Sequence, residues 1–157
     1  ISGIRGTIGG NPGENLTPID IVESVSAYGY WLKEMFKNES LKVVIGRDAR
    51  LSGEMVENLC IGTLQSLGIN IINLGGIILT ASHNPKQWNA LKLLNDKGEF
   101  ISKKDGEKLL EIIRNNKTSY NDVDNLGQVT QMSNYIDMHI EHIIHLDDKS
   151  INHFFIP

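Results

Sequence analysis

The sequence predicts an α/β domain, and three observations support that fold class. Short apolar runs of strand length stand at residues 41–45, 69–74, 77–79 and 90–94. Apolar side chains recur at helical spacing over about 18–37, 53–67 and 102–116. Polar and glycine-containing loops separate these segments, so strands alternate with helices along the chain. A chain of 157 residues with 40% hydrophobic residues is long enough for one good core.

The first elements follow from local signals near the start of the chain. Residues 2–13 are rich in glycine and predict a loop that lets the backbone approach an anion. Thr17 followed by Pro18 is typical of an N-cap and a first helical turn, which predicts a helix over about 18–37. The run 41–45 opens into Gly46 and therefore predicts a buried strand with a loop at its end.

The next segment gives clear helix signals and one hairpin signal. Ser52 is predicted to cap a helix over about 53–67, and Gly68 stands where the chain leaves that helix. Gly75 and Gly76 lie between two apolar runs, and such a pair is typical of a two-residue β-hairpin. Taken locally, the residues therefore predict an antiparallel pair of strands here.

A polar loop, residues 80–85, follows the strand at 77–79 and reads Thr-Ala-Ser-His-Asn-Pro. The Asn-Pro pair forces a turn, because proline bars its predecessor from the helical region. Ser82 is thereby held at the C-terminal end of a strand, with His83 and Asn84 beside it, at the edge where α/β sheets bind ligands. We call the polar loop that begins at Thr80 the serine loop.

The chemistry of Ser82 follows from its neighbours. A triad hydrolase places its serine on a sharp G-x-S-x-G turn with a base in reach, and this loop has another pattern. Phosphoryl transfer fits better, since a phosphoryl-bearing serine needs positive charge and hydrogen-bond donors around it. That charge is available from four cationic side chains: Arg5, Arg47, Arg50 and Lys92. A plain polar turn is the alternative for so short a pattern.

The remainder of the chain continues the same alternation. A strand is predicted over 90–94, a turn over 95–98, and a helix from Ser102 to about 116 with that serine as its cap. Residues 117–131 are polar and predict an exposed connector, and a further helix is predicted over about 133–146.

Composition excludes several functional classes. The formal net charge of −4 argues against a nucleic-acid partner, which would require a basic face. Cys60 is the only cysteine, so no disulfide can form within one chain, and its helical position predicts a buried small hydrophobe. No signal peptide or membrane-length apolar run is evident, and we expect no membrane partner and a reducing, cytoplasmic location.

Three ordered motifs carry a resemblance to a known family. They are Ser2-Gly3-Ile4-Arg5-Gly6, then Gly46-Arg47-Asp48-x-Arg50-x-Ser52-Gly53, and finally Ser82-His83-Asn84-Pro85 with Asn89 and Lys92 downstream. From residue 2 to about 146 the chain resembles the α-D-phosphohexomutases, which include phosphoglucomutase, phosphomannomutase and phosphoglucosamine mutase. The resemblance implies the fold of the family's first domain over 1–117, a mixed sheet packed between helices. Residues 118–157 would be the connector and helix that lead to a second, absent domain, so the chain is expected to be a fragment.

The resemblance also implies an activity. Ser82 would be the phosphoserine of an intramolecular phosphotransferase that interconverts hexose 1-phosphate and hexose 6-phosphate through a bisphosphate intermediate. His83, Lys92 and Arg5 would complete the catalytic site, with Lys92 acting in proton transfer or in charge stabilisation. Asn84, Arg47 and Arg50 are assigned to phosphate binding, although the two arginines would serve equally well to brace the serine loop.

The implied cofactor is Mg²⁺, bound through the phosphoryl group on Ser82 and through aspartates of an absent domain. Asp122 and Asp124 have only part of the family's aspartate motif and are read as a solvated turn. The motifs do not select among glucose, mannose and glucosamine phosphates, and they leave the oligomeric state open.

The resemblance and the local signals disagree at Gly75 and Gly76. Family members carry a loop and a helix between these two strands, and a parallel crossover needs a dozen or more residues. We therefore expect that residues are missing at this point rather than that a hairpin forms. The fragment alone is expected to be inactive, and the competing hypothesis is a non-catalytic phosphosugar-binding module.

Overall fold

The computed structural model describes residues 3–37, 40–73, 77–132 and 134–145. The elements, in chain order, are β1 (Ile4–Thr7), α1 (Pro18–Met35), β2 (Lys42–Arg47), α2 (Gly53–Ser66), β3 (Asn70–Asn73), β4 (Ile77–Leu79), β5 (Trp88–Leu93), α3 (Lys103–Arg114), β6 (Val129–Gln131) and α4 (Tyr135–Ile144). None of the helices in these described ranges is long and apolar enough to cross a bilayer.

The strands form one mixed sheet of six, in the order β1-β5-β4-β2-β3-β6. Strand β2 pairs in parallel with both β3 and β4, and β3 pairs in parallel with β6. Strand β5 runs antiparallel to its two neighbours, β1 and β4. The expected α/β class with a mixed sheet is therefore confirmed.

One face of the sheet forms the core together with the helices. The strand residues that point to it are Val43, Ile45, Ile71, Ile77, Leu79, Leu91 and Leu93, and each is at most 4% exposed. They form one cluster with buried side chains of α1, α2 and α3. The alternate residues of the strands, such as Val44, Ile72 and Ile78, are only half-buried. Period-two alternation thus assigns a buried helix-covered face and a more accessible opposite face.

The three predicted N-cap residues all stand at the start of their helices, but only two of them make a capping hydrogen bond with the side chain. Thr17 and Ser102 each form a capping box with the aspartate three residues later. Ser52 makes no capping hydrogen bond with its side chain. Its Oγ instead accepts a hydrogen bond from Nδ2 of Asn89 at 2.9 Å, because β5 passes beside the start of α2.

The hairpin that the local pattern favours at Gly75 and Gly76 is not formed by β3 and β4, as the family resemblance led us to expect. Hairpin strands pair with each other in antiparallel fashion. Here β3 and β4 lie on opposite sides of β2, and both are parallel to it: Ile45 pairs with Asn73 on one side and with Ile77 on the other. The two glycines, and with them the expected missing residues, lie outside the described part of the chain.

Two strands were not predicted from the sequence. Strand β1 lies inside the glycine-rich start, and β6 lies inside the polar segment that was expected to be a plain connector. Both are edge strands of three or four residues, and β6 is exposed along its whole length. Short edge strands carry little of the apolar alternation on which sequence prediction depends. The segment after residue 117 therefore contributes to the sheet.

Candidate functional site

The serine loop joins the end of β4 to the start of β5, at the carboxyl end of the parallel strands. Two short turns shape it: the Asn84 N–H donates to the Ala81 carbonyl at 3.0 Å, and the Trp88 N–H donates to the Pro85 carbonyl at 2.9 Å. Ser82 is exposed at the tip of the first turn. The sequence prediction of a serine held at a strand end is therefore confirmed.

Ser82 has an unusual backbone conformation. Its φ is +52°, in the left-handed region that residues other than glycine seldom adopt. Such a residue costs about 1–3 kcal/mol and persists only where its surroundings hold it. Both polar groups of its backbone are bound: its N–H donates to Oγ1 of Thr80 at 3.0 Å, and its carbonyl accepts from Nη2 of Arg50 at 2.6 Å.

The Arg50 guanidinium donates hydrogen bonds to four backbone carbonyls in and next to the serine loop. Nη1 donates to the carbonyls of Asn84, Pro85 and Trp88 at 3.2, 3.1 and 3.0 Å. Nη2 donates to the carbonyls of Ser82 and Asn84 at 2.6 and 3.1 Å. The side chain is only 12% exposed. A planar guanidinium with five fixed donors is suited to such a set of acceptors, whereas a lysine would offer one point charge.

Asp48 connects Arg50 to the strands. Its N–H donates to the Leu79 carbonyl at 3.2 Å, which fixes the end of β2 beside the end of β4. Its Oδ2 accepts from Nε of Arg50 at 3.1 Å and from Oγ1 of Thr80 at 2.5 Å, and its Oδ1 accepts from the N–H of Arg50 at 3.2 Å. One carboxylate therefore orients both groups that hold the Ser82 backbone.

Arg47 lies on the other side of the strand end. It pairs in register with Leu79, on the helix-covered face, and its Nε donates to Oε2 of Glu57 at 2.8 Å. Glu57 is a buried residue of α2, so this ion pair attaches the end of β2 to that helix. Phosphate binding by Arg47 and Arg50 stays a prediction, and their contacts favour the bracing role that the sequence left open.

Arg5 and Lys92 lie on the more accessible face of the sheet. Arg5 pairs with Ala90, and Lys92 is two residues further along the same strand, so the two side chains are diagonal neighbours on one face. Thr80 shares that face, because its N–H donates to the Ala90 carbonyl at 3.1 Å. The Lys92 ammonium lies 5.9 Å from the centre of the Phe100 ring.

Gly3 allows β1 to lie where it does. Its φ is +111°, and a Cβ at this position would lie 2.3 Å from the backbone oxygen of Leu91. Any larger residue would push β1 away from β5. The glycine before Ile4 and Arg5 therefore serves to place Arg5 beside Ala90.

The polar side chains at the tip of the loop are available to a ligand. Within the described ranges of the chain, Ser82 Oγ and the side chains of His83 and Asn84 have no hydrogen-bond partner. Ser82 and His83 are exposed, and Asn84 is half-buried. The loop thus presents a hydroxyl, an imidazole and an amide to solvent, on a backbone that is held in place.

Asn89 supports the loop from the core side and was not predicted to do so. It is 0% exposed, its Nδ2 donates to Ser52, and its Oδ1 accepts from the Ala90 N–H at 2.8 Å. Thr80 and Asp48 were likewise not selected as site residues. For Thr80 a signal existed, since a hydroxyl two residues before Ser82 is the spacing of a side chain that binds a local N–H. For Asp48 a signal existed too, since it stands between two arginines and binds Arg50, two residues further on. The bond from Thr80 to Asp48 and the bond from Asn89 to Ser52 join residues that are distant in sequence.

Ser82 and His83, at the tip of the serine loop, are exposed to solvent. A cavity of about 410 Å³ lies at the opposite end of β2, where Leu32, Phe36 and Lys42 line it. The candidate site instead is an open surface at the carboxyl ends of β2 and β4. An open site of this kind needs further protein surface to exclude water from a reaction.

Comparison with known proteins finds a family model and curated relatives that match most of this chain. The family model described as phosphoglucomutase/phosphomannomutase, alpha/beta/alpha domain I, matches residues 1–75 and 73–120. A phosphoglucosamine mutase of Helicobacter acinonychis is 31% identical over 172 positions, which take in 95% of this chain and 38% of that protein. A phosphoglucosamine mutase of Methanococcus maripaludis is 30% identical over 79% of this chain and 30% of that protein.

Solved structures share the fold. A phosphoglucomutase/phosphomannomutase family protein from Burkholderia thailandensis matches 91% of this chain with a TM-score of 0.71 and 21% identity, over 34% of its own length. A putative phosphomannomutase from Thermus thermophilus matches 94% of this chain with a TM-score of 0.71 and 22% identity, over 36% of its own length. The chain spans only about a third, 30–38%, of the length of these proteins.

The comparisons also concern the segment around Gly75. The family model matches in two pieces that meet at residues 73–75. The alignment with the Helicobacter protein has 172 positions, whereas 95% of a 157-residue chain is only about 149 residues. Roughly twenty positions of that relative therefore have no counterpart in this chain.

Proposed function

The chain belongs to the phosphoglucomutase/phosphomannomutase family, and on that premise we propose that it is the phosphoserine-bearing part of a phosphohexomutase. The complete enzyme would interconvert hexose 1-phosphate and hexose 6-phosphate. The observation that carries the proposal is the presentation of Ser82. Its hydroxyl is exposed and has no partner within the described residues, while both polar groups of its backbone are bound.

The proposed reaction has two transfers through Ser82. In the first, the bond from phosphorus to Ser82 Oγ breaks as phosphorus bonds to a hydroxyl oxygen of the sugar phosphate. The hydroxyl proton passes to a base of the site, and Ser82 Oγ takes up a proton from the site as it leaves. The hexose bisphosphate so formed then returns its other phosphoryl group to Ser82 Oγ, and the serine proton leaves with the departing sugar oxygen. Most of the rate acceleration in such a transfer comes from positioning of the reacting groups and from stabilisation of charge.

The positive charge would come from the accessible face of the sheet. Arg5 and Lys92 are diagonal neighbours there, and Thr80, which binds the Ser82 N–H, lies on the same face. His83 and Asn84 would donate hydrogen bonds to the phosphoryl oxygens from the loop itself. Lys92 would have to leave the Phe100 ring to reach the phosphoryl group, which a flexible lysine stem permits.

The described residues would supply only part of a Mg²⁺ coordination shell. When bound, the ion would offset the charge of the transferring phosphoryl group, and a phosphoryl oxygen on Ser82 would be its ligand from this chain. Asp48 is the nearby carboxylate, but both of its oxygens already accept hydrogen bonds from Arg50 or Thr80. No group of three His, Cys, Asp or Glu side chains stands close enough together in the described ranges to hold a metal. The remaining ligands would therefore come from protein beyond these residues.

A hexosamine phosphate is the second candidate substrate. The curated relatives from Helicobacter and Methanococcus are both called phosphoglucosamine mutase, and each is at least 30% identical. The names of these two relatives are the observation that supports an amino sugar as the substrate. The serine chemistry would be unchanged, because the amino group replaces the hydroxyl on C2 and leaves the C1 and C6 oxygens that exchange phosphorus in place.

The test is the covalent state of Ser82 after exposure to a phosphoryl donor. We expect the complete enzyme, incubated with glucose 1,6-bisphosphate, to gain one phosphoryl group on Ser82, and its Ser82→Ala variant to gain none. The printed chain alone should show no turnover of hexose 1-phosphate, because Ser82 is exposed to water in it. Saturable sugar-phosphate binding without any phosphoserine would indicate the non-catalytic binding module instead, and turnover by the chain alone would contradict its predicted inactivity.

A further inference from the structure

We propose that Asp48, Arg50 and Thr80 form a clamp that holds Ser82 in its left-handed conformation and thereby sets the direction of its hydroxyl. The inference deepens the proposed function and rests on it. The three residues are assigned as positioning residues, since in this structure they bind the backbone of Ser82 and not its reactive oxygen. We call them the serine clamp.

The clamp holds the Ser82 backbone from both sides. Thr80 Oγ1 accepts from the Ser82 N–H at 3.0 Å, and Arg50 Nη2 donates to the Ser82 carbonyl at 2.6 Å. These two contacts fix the peptide groups on either side of the Ser82 Cα. The φ of +52° is thereby selected over the extended conformations that serine ordinarily prefers.

Asp48 makes the two contacts depend on each other. Because the Thr80 hydroxyl gives its proton to Asp48 Oδ2, its lone pairs are left to accept the Ser82 N–H. The same Oδ2 accepts from Nε of Arg50, which turns the guanidinium toward the loop carbonyls. Loss of the carboxylate would release both sides of Ser82 together.

The charge of the clamp supports positioning over phosphate binding. The Arg50 cation is paired with Asp48 at 3.1 Å, and each of its three nitrogens donates to an acceptor of this chain. Its side chain is 12% exposed. Arg50 therefore contributes geometry to the loop, while the charge that faces a phosphoryl group is left to Arg5 and Lys92.

The test compares Thr80→Val with Thr80→Ser. Valine keeps the shape of threonine but removes the oxygen, and serine keeps the oxygen. Two quantities are measured: hydrogen exchange of the Ser82 amide by NMR, and, in the complete enzyme, the rate at which Ser82 takes up a phosphoryl group from glucose 1,6-bisphosphate. Leu109→Ala, a core change in α3, serves as the control for lost stability, since Leu109 is 3% exposed and distant in sequence from the loop.

We expect Thr80→Val to speed exchange of the Ser82 amide about tenfold and to slow phosphoryl uptake by at least about tenfold. Thr80→Ser should restore both quantities, and Leu109→Ala should lower the Tm without changing either one. Arg50→Lys should resemble Thr80→Val, because a lysine cannot bind the several loop carbonyls at once.

The proposal of a serine clamp is overturned if Thr80→Val leaves the exchange of the Ser82 amide unchanged. It is also overturned if Thr80→Val slows phosphoryl uptake no more than Leu109→Ala does. Failure of the proposed function looks different. In that case the complete wild-type enzyme takes up no phosphoryl group, although the exchange of the Ser82 amide still responds to Thr80→Val and is restored by Thr80→Ser.

Discussion

At the scale of single residues, Lys92 is the cation whose role the structure makes most testable. Its ammonium now lies over the Phe100 ring, on the face of the sheet that Arg5 and Thr80 share. We expect Lys92→Met to slow phosphoryl transfer to Ser82 on the order of a hundredfold, because a positioned cation or acid contributes about that much. Phosphopeptide formation over time would measure it.

The matched control for Lys92 is Lys86→Met. Lys86 lies in the serine loop and is exposed, and it is not assigned to the site. A similar loss in both variants would indicate that general positive charge, and not Lys92 itself, drives the transfer.

Cys60 illustrates how burial controls reactivity. It is 0% exposed, and burial, helped by the nearby Glu57 carboxylate, raises the pKa of the Cys60 thiol to about 12. Since the thiolate is the reactive form, we expect almost no alkylation of Cys60 at pH 8 in the folded protein. Labelling with iodoacetamide with and without denaturant measures this, and rapid labelling of the folded chain would contradict the buried position.

At the scale of elements, the start of α1 should depend on pH. Partial burial raises the pKa of Asp20, but hydrogen bonds from the Thr17 side chain and from the N–H groups of Gly13 and Thr17 outweigh it, so the pKa lies below the usual 3.8. A carboxyl with a depressed folded pKa stabilises above its unfolded pKa and loses that contribution as the pH falls through the folded value.

The corresponding variant is Asp20→Asn. We expect it to lower the free energy of unfolding by about 1 kcal/mol at pH 7, as is usual for a lost cap interaction, and by progressively less below pH 3.8. Denaturant unfolding at both pH values tests this. Asp105→Asn, in the capping box of α3, is the parallel case. If Asp20→Asn lowered the free energy of unfolding equally at pH 7 and at pH 2, ionisation of the Asp20 carboxyl would play no part in the stability of α1.

The connection between β3 and β4 carries a separate prediction. Asn73 and Ile77 pair with the same residue, Ile45, from opposite sides of β2, and the family model matches in two pieces that meet there. We expect the polypeptide made in the cell to contain further residues between them. The mass of the tryptic peptide that begins at Leu51 and ends at Lys86 would show the addition, and a mass equal to that of the printed sequence would refute it.

At the scale of the whole molecule, the sequence predicted the elements with strong periodicity and clear caps. Helices α1, α2 and α3 begin and end within a few residues of the prediction, because Thr17, Gly68 and Ser102 are unambiguous local signals. Strands β1 and β6 were missed because their pairing partners are distant in sequence. The mixed character of the sheet came from the family resemblance and not from the residues alone.

The candidate site was likewise predictable where its signals are local in sequence. The serine loop was recognised because its residues are consecutive, and Arg5 and Lys92 were added by resemblance. The hydrogen bond from Thr80 to Asp48 was not predicted, since it joins the ends of two strands, 32 residues apart in sequence. Contacts of that kind depend on the sheet order, which local patterns do not determine.

The most direct test of the central claim is the state of Ser82 in the protein as purified from cells, by fragmentation mass spectrometry of the peptide that bears it. The account predicts that part of the protein carries a phosphoryl group on Ser82, and that treatment with glucose 1,6-bisphosphate raises this fraction. A hydroxyl that is bare before and after treatment, in a chain shown to be folded, would contradict the assignment of Ser82 as the phosphoserine.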